Sequence, residues 1–235
     1  MDGGNSGYQA GAQRYWAELP RLAMPRNPDR RAAIADDGNL DAAAPYDLLR
    51  TRLLGEMSAR EWKMLGVTQA GNSVAAPLTA LNLALSEARR PGRNVVLVEL
   101  DVAQQPILDH LGGDITSGAA TSSGGGAQFR AWRLADRLAL MAIPTPPSEA
   151  AIRLLDPDFR TRLVDSLSRF APDVVILHLP PLLTGDAGLA AVPLVQGVLL
   201  VVNGRSDTAD SLRACQTRLG ESCPVLGLFL FDAEV

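Results

Sequence analysis

Lysine is almost absent from this chain: Lys63 is the single one among 22 basic residues. Chemistry that needs an ammonium group therefore has one candidate position. Cysteine and histidine are scarce too, at two each: Cys215, Cys223, His110 and His178. They form no CxxC and no His/Cys cluster, so there is no basis for a structural zinc site. The two thiols are expected to be free in a reducing compartment, a single disulfide being the alternative. An excess of positive charge is also missing. The formal net charge is −4, which gives no electrostatic case for nucleic acid. The longest apolar run, GVLLVVNG, is far short of a membrane span. The start, MDGGNSGYQAGAQRYW, lacks the charged-then-apolar layout of a signal peptide. These absences together describe a soluble, cytoplasmic protein. What is there is an apolar content of 47% over 235 residues, enough for one large globular domain with or without a tail.

Residues 1–40 are rich in Gly, Asn, Asp, Arg and Pro and carry no sustained apolar period. They are expected to form a mobile N-terminal tail, with a short helix around YWAEL. Tyr15 and Trp16 are costly to leave in water, so docking through these aromatic anchors is the competing expectation. Residues 41–235 then form the domain. PYDLLRTRLLGEM reads as an amphipathic helix, with Leu48, Leu49, Leu53 and Met57 on one stripe. From there strands and helices alternate. KMLGVT, RNVVLVEL, LALMAI, DVVILHLPP, GVLLVVN and PVLGLFLF read as strands. PLTALNLALSEARR, PILDHLG, PDFRTRLVDSLSRF, GDAGLAAVPLV and DTADSLRACQTRLGE read as helices. TSGAATSSGGGA reads as a low-complexity loop.

Continuous apolar strands separated by helices predict an α/β fold: a mostly parallel sheet with helices on both faces, joined by right-handed crossovers. Ligands of such sheets bind beyond the carboxyl ends of the strands. The loop after the first strand, the residues after Glu99, and HLPP should share that rim.

The order of segments from about Pro45 onward resembles the cytoplasmic kinase domain of the bacterial tyrosine kinases that regulate capsule and exopolysaccharide export. These have the deviant-Walker P-loop NTPase fold of the MinD and ParA proteins, a three-layer α/β arrangement. Family segments such as TSPxPGEGKSTxALNLA, VLLIDADLRRP, VIIDTPP and PVLGVVLN correspond here to TQAGNSVAAPLTALNLA, VVLVELDVAQQP, VILHLPP and PVLGLFLF. TALNLA, PP and PVLG match closely.

The resemblance fails at the positions that carry chemistry. Aligned on TALNLA, the phosphate-binding lysine falls at Ala76 and the Mg²⁺-binding hydroxyl at Pro77. Ala76 has no charge, and Pro77 has neither a hydroxyl nor an N–H. Gly71 is the one glycine left in the loop. The two aspartates of DAD fall at Glu99 and Asp101, and the Walker B aspartate falls at His178. A Glu in place of Asp displaces the carboxylate by a methylene, and imidazole is a poor ligand for a hard, octahedral ion. Lys63 stands at the amino end of the first strand, the wrong end to replace the missing cation. Loss of a transition-state cation alone costs on the order of 10³-fold or more in rate. The tyrosine-rich tail that the family phosphorylates is absent as well, since no tyrosine follows Tyr46.

The expectation is therefore a catalytically silent pseudo-kinase that uses no cofactor. The resemblance implies a membrane-embedded polysaccharide co-polymerase as partner, in capsule or holdfast export, and a location at the inner membrane only through that partner. In the helix YDLLRTRLL, the family's ring-forming glutamate and arginines fall at Ala44, Asp47 and Arg50. Only Arg50 persists, which leaves homo-oligomerisation open and makes Asp47 and Arg50 candidate partner contacts. Two other readings are an active tyrosine kinase or ATPase with a rebuilt ATP–Mg²⁺ site, and a MinD- or ParA-like positioning protein.

Overall fold

In the computed structural model, residues 3–25, 40–121, 129–221 and 223–232 are described. Residues 26–39 of the expected tail and 122–127 of the expected low-complexity loop lie outside them. The chain runs α1 (Gly3–Glu18), α2 (Leu40–Ala59), β1 (Met64–Gln69), α3 (Ala75–Ala88), β2 (Val95–Glu99), α4 (Pro106–His110), β3 (Ala119–Ala120), β4 (Arg130–Ala135) and β5 (Leu138–Ala142). It continues through α5 (Ala150–Leu155), α6 (Phe159–Ser168), β6 (Val174–His178), α7 (Ala187–Ala191), β7 (Gly197–Asn203), α8 (Ala209–Leu219) and β8 (Val225–Phe231).

The eight strands form one sheet in the order β3-β4-β5-β2-β6-β1-β7-β8. The six from β5 to β8 pair in parallel, and β4 pairs antiparallel with both β3 and β5. Central strands with both faces covered must be apolar throughout, and β2, β5 and β6 are buried at every residue. Their alternation sorts side chains between two cores. Val96, Val98, Val175 and Leu177 face one core, together with Phe159, Leu163 and Cys215 from α6 and α8. Val95, Leu97, Val174 and Ile176 face the other, together with Leu53 and Met57 from α2 and Leu81 and Leu83 from α3. Each such side chain contributes roughly 1.5–3 kcal/mol relative to full exposure. Gly66 in β1 is needed for close packing: a Cβ there would stand 3.0 Å from Leu179 and 3.1 Å from Val195.

Three features differ from the expectations. The first concerns the tail. Within residues 1–40, Ala12, Trp16 and Leu19 are buried in the first core. The Trp16 Nε1–H donates to the Phe170 carbonyl at 3.0 Å, and both Tyr15 and Trp16 meet the Phe170 ring edge-on. Backbone bonds between Pro20–Leu22 and Arg133 then fasten the segment to β4. This part of the expected tail therefore packs against the sheet, because two aromatic rings find a seat on Phe170. Second, α2 begins five residues earlier than Pro45, which sits inside it; the missing N–H of Pro45 removes one helical bond without ending the helix. Third, α5 was not anticipated. It is a short helix that buries Ala150 and Leu154 but leaves Ile152 and Leu155 exposed, so its apolar residues do not sort cleanly onto one face. Cys215 and Cys223 are free and buried. Burial, and then the Asp207 carboxylate, push the Cys215 thiol up to about 11.

Candidate functional site

The β1–α3 loop, the residues after β2 and those after β6 share the carboxyl rim, as parallel topology requires. The loop is closed by its own side chains. Gln69, the last residue of β1, is 3% exposed and turns its side chain under the loop. Its Oε1 accepts the Ala76 N–H at 2.9 Å and the Ser73 hydroxyl at 2.7 Å, while its Nε2 donates to the Ser73 carbonyl at 2.8 Å. Ser73 Oγ in turn accepts the Ala75 N–H at 3.1 Å. Pro77 has no N–H, and the Leu78 N–H is taken by the Val74 carbonyl at 3.1 Å.

A helix start normally offers unpaired N–H groups and partial positive charge to an anion. In α3 every donor of the first turn is either used or missing. The amide oxygen of Gln69 occupies the role that a phosphate oxygen plays in a working loop. Gly71 borders open space: a Cβ added there would meet nothing within 4 Å, so crowding does not demand glycine at this position. Sequence reasoning weighed Ala76 and Pro77 and passed over Gln69 and Ser73. The available signal was a polar residue closing a buried strand, with a hydroxyl four positions on.

Glu99 and His178 are register partners on adjacent parallel strands β2 and β6, so their side chains emerge together on one face. They are 0% and 1% exposed. Glu99 Oε1 accepts the Asp101 N–H at 3.1 Å, and Oε2 accepts the Ile107 N–H at 2.9 Å at the start of α4. Both oxygens are thus acceptors, which places the proton of the 2.6 Å contact on His178 Nδ1, donating to Glu99 Oε1. His178 Nε2 is buried without a partner among the described residues. Asp101 Oδ1 accepts the Gln104 N–H at 3.4 Å, capping the following turn. Burial, and next the Glu99 carboxylate, raise the Asp101 pKa above the ordinary range; His178 and the Gln104 N–H oppose the shift.

The side chains of this constellation are largely taken up by bonds within the chain. Mg²⁺ wants oxygen ligands in octahedral array. Both oxygens of Glu99 are committed to backbone donors and His178. Among the described residues no three His, Cys, Asp or Glu side chains are grouped to hold a metal ion.

Asp47 and Arg50 come together, but on their own chain. Asp47 Oδ1 accepts from Arg89 Nη2 at 2.5 Å, from the Ser86 hydroxyl at 2.5 Å and from Arg50 Nη1 at 3.3 Å. Arg50 Nη1 also donates to the Ser86 carbonyl at 3.0 Å. The pair fastens α2 to the end of α3. Burial works against the Asp47 charge, but the Ser86 hydroxyl and the Arg89 and Arg50 guanidiniums outweigh it and lower its pKa. Lys63 lies exposed before β1, at the amino rim and remote from the loop.

No protein-family model matches the chain, and no curated protein matches it in sequence. Solved structures do. The VpsO kinase domain superposes with a TM-score of 0.68 at 17% identity, over 84% of this chain and 98% of that one. The kinase domain of the Escherichia coli tyrosine kinase Etk gives 0.67 at 18%, over 94% and 93%. The BceF tyrosine kinase domain gives 0.66 at 16%, over 93% and 95%. At such identities the likeness speaks for the fold: this chain adopts the α/β fold of bacterial tyrosine-kinase domains.

Proposed function

We propose that this protein is a catalytically silent relative of the polysaccharide-export tyrosine kinases. It acts by binding a membrane co-polymerase in exopolysaccharide export, in capsule or holdfast production. It uses neither ATP nor Mg²⁺. The observation that supports silence is the Gln69 side chain lodged against the Ala76 N–H and the Ser73 hydroxyl. A triphosphate would have to displace these bonds and would find no lysine in the loop and neither a hydroxyl nor an N–H at Pro77. Phosphoryl transfer depends on electrostatic stabilisation by such groups. The pathway and partner rest on the ordered segments YDLLRTRLL, TALNLA, HLPP and PVLG, together with the shared fold.

Isothermal titration with ATP and Mg²⁺ tests the first half. No heat of binding is expected at submillimolar nucleotide. Micromolar binding that is lost in Asp101→Asn would reinstate the rebuilt-enzyme reading. Deletion of the gene tests the second half: surface polysaccharide should fall, and a deletion strain with normal polysaccharide would remove the pathway assignment.

A further inference from the structure

One edge of the sheet is left unguarded. β8 is the last strand in the order, and among the described residues no strand pairs with its outer side. Its sequence, VLGLFLF, has neither a charge nor a proline, the usual devices that keep an edge strand from pairing. Its register against β7 is irregular only at the start, between Val198 and Leu199; residues 227–231 then run evenly beside residues 199–203.

The backbone shows which groups are left over. The Phe231 carbonyl accepts the Gly204 N–H at 2.9 Å, so Phe231 turns its backbone towards β7. Along a parallel strand the N–H and C=O of one residue point to the same side, and successive residues alternate. Gly227 and Phe229 therefore face β7 as well, and the N–H and C=O groups of Leu228 and Leu230 point away from the sheet. The side chains of these two residues also stand in water, at 53% and 57% exposure, on one face of the strand. On the other face Phe229 lies against Tyr46 of α2, with ring centroids 5.5 Å apart, and Phe231 is buried. Outward donors and acceptors beside exposed leucines make a template for a further strand.

We propose that a second copy of this chain fills this edge, the two β8 strands running antiparallel about a two-fold axis at Phe229. The order of residues in the strand argues for a copy. A two-fold midway between Leu228 and Leu230 sets each of them opposite the other residue of the copy. Each such pair exchanges both of its N–H···O bonds, so all four outward groups of each chain are satisfied with none left over. The same register gathers four leucines on one face. On the other face it sets Gly227 opposite the much larger Phe231. No like charges meet, because the strand carries none. A closed two-fold contact stops at two chains. The interface is small, so association belongs at micromolar chain concentrations or above. This contact does not rest on the proposed pathway.

Sedimentation velocity on the full chain across a dilution series tests it and should show a monomer–dimer equilibrium. Leu228→Lys should weaken dimerisation about tenfold or more, because a lysine on an edge strand opposes pairing. Leu228 is exposed, so the dilute variant should melt with dilute wild type, which separates association from folding. Hydrogen exchange gives a second measurement that needs no variant. The Leu228 and Leu230 amides should exchange more slowly as chain concentration rises, whereas the Phe229 amide, which faces β7, should not change. Leu155→Lys, at an exposed apolar residue of α5, should leave the dimer intact. The proposal is overturned by a chain that stays monomeric at millimolar concentration, by a dimer indifferent to Leu228→Lys, by a dimer that Leu155→Lys abolishes, or by Leu228 and Leu230 amides whose exchange ignores concentration.

Discussion

At the start of α3, Gln69 and Ser73 fold inward and take up the backbone donors of the first turn. At its end, buried Glu87 takes up the guanidinium groups of Arg90 and Arg93. The two regions are built from the same kinds of groups, and they differ in where the unsatisfied capacity is left. The carboxyl rim resembles the site of an enzyme but keeps no unpaired N–H in the first turn of its helix and no free oxygen on Glu99. The amino rim carries arginines already paired with Asp47, Glu87 and Asp173, and Lys63, which has no ion pair among the described residues. Location on a known fold is thus a poor guide to binding; which donors and acceptors are already taken at a place is the better one.

The largest effect that could break this comparison is expected at His178. His178→Asp puts a third carboxylate beside buried Glu99 and Asp101 and removes the Nδ1–H donor. Leaving a buried charge without compensation costs roughly 3–5 kcal/mol. Urea unfolding should show a loss of that order at pH 8. The introduced carboxyl is pushed to a higher folded pKa by its neighbours, so stability should return as pH falls and the group takes up a proton. His178→Asn, which adds no charge, should lose less. Equal losses in the two variants would mean that charge is not what locks this rim.

Gln69 gives the next largest effect. In Gln69→Ala the Ala76 N–H and the Ser73 hydroxyl lose their acceptor, at a cost of about 1–3 kcal/mol. The same change opens the helix start to anions. Added phosphate should therefore raise the melting temperature of the variant while leaving wild type unaffected, through mass action on the folded state. A variant as stable as wild type, or one as indifferent to phosphate, would show that the loop is not closed by Gln69.

Most of the framework was legible in the sequence because it depends on local period and order. The apolar runs of β2, β6 and β7 and the TALNLA stretch of α3 placed Glu99, Asp101 and His178 on one rim without coordinates. What was not legible depends on contacts between distant positions. The direct bond between Glu99 and His178 follows from the β2–β6 register, which no local pattern states. Gln69 sits in an otherwise ordinary strand end, and only its reach of seven residues to the Ala76 N–H reveals its role. Trp16 joined the core through a residue 154 positions away, so composition alone read its surroundings as tail. Glu87 gave no sign of burial within a charged helix end, yet it takes up Arg90 and Arg93. Asp47 looked available to a partner because Arg89, its closest counter-charge, lies 42 positions on.

The smallest of these effects concerns Asp101, and its sign is the informative part. Asp101 is 6% exposed and stands beside Glu99. Burial first, and the Glu99 charge second, raise its pKa in the folded state above the unfolded value. A group raised in this way favours folding most when protonated, and the advantage disappears as pH rises through the folded pKa. Where Asp101 is ionised, the native state bears the cost of a partly desolvated carboxylate beside Glu99. Asp101→Asn keeps an oxygen that can accept the Gln104 N–H and removes the charge, so it should stabilise the protein by about 1 kcal/mol. The gain should be present at pH 7–8 and should vanish below the ordinary carboxylate range, where wild-type Asp101 is itself neutral. Thermal melts of both proteins across that span measure it. In a working magnesium site the same substitution would weaken metal binding, and a stabilising ion would make wild type the more robust protein in millimolar Mg²⁺. A wild type that gains on the variant when Mg²⁺ is added would therefore place a metal at the carboxyl rim, and would end the distinction between the two poles.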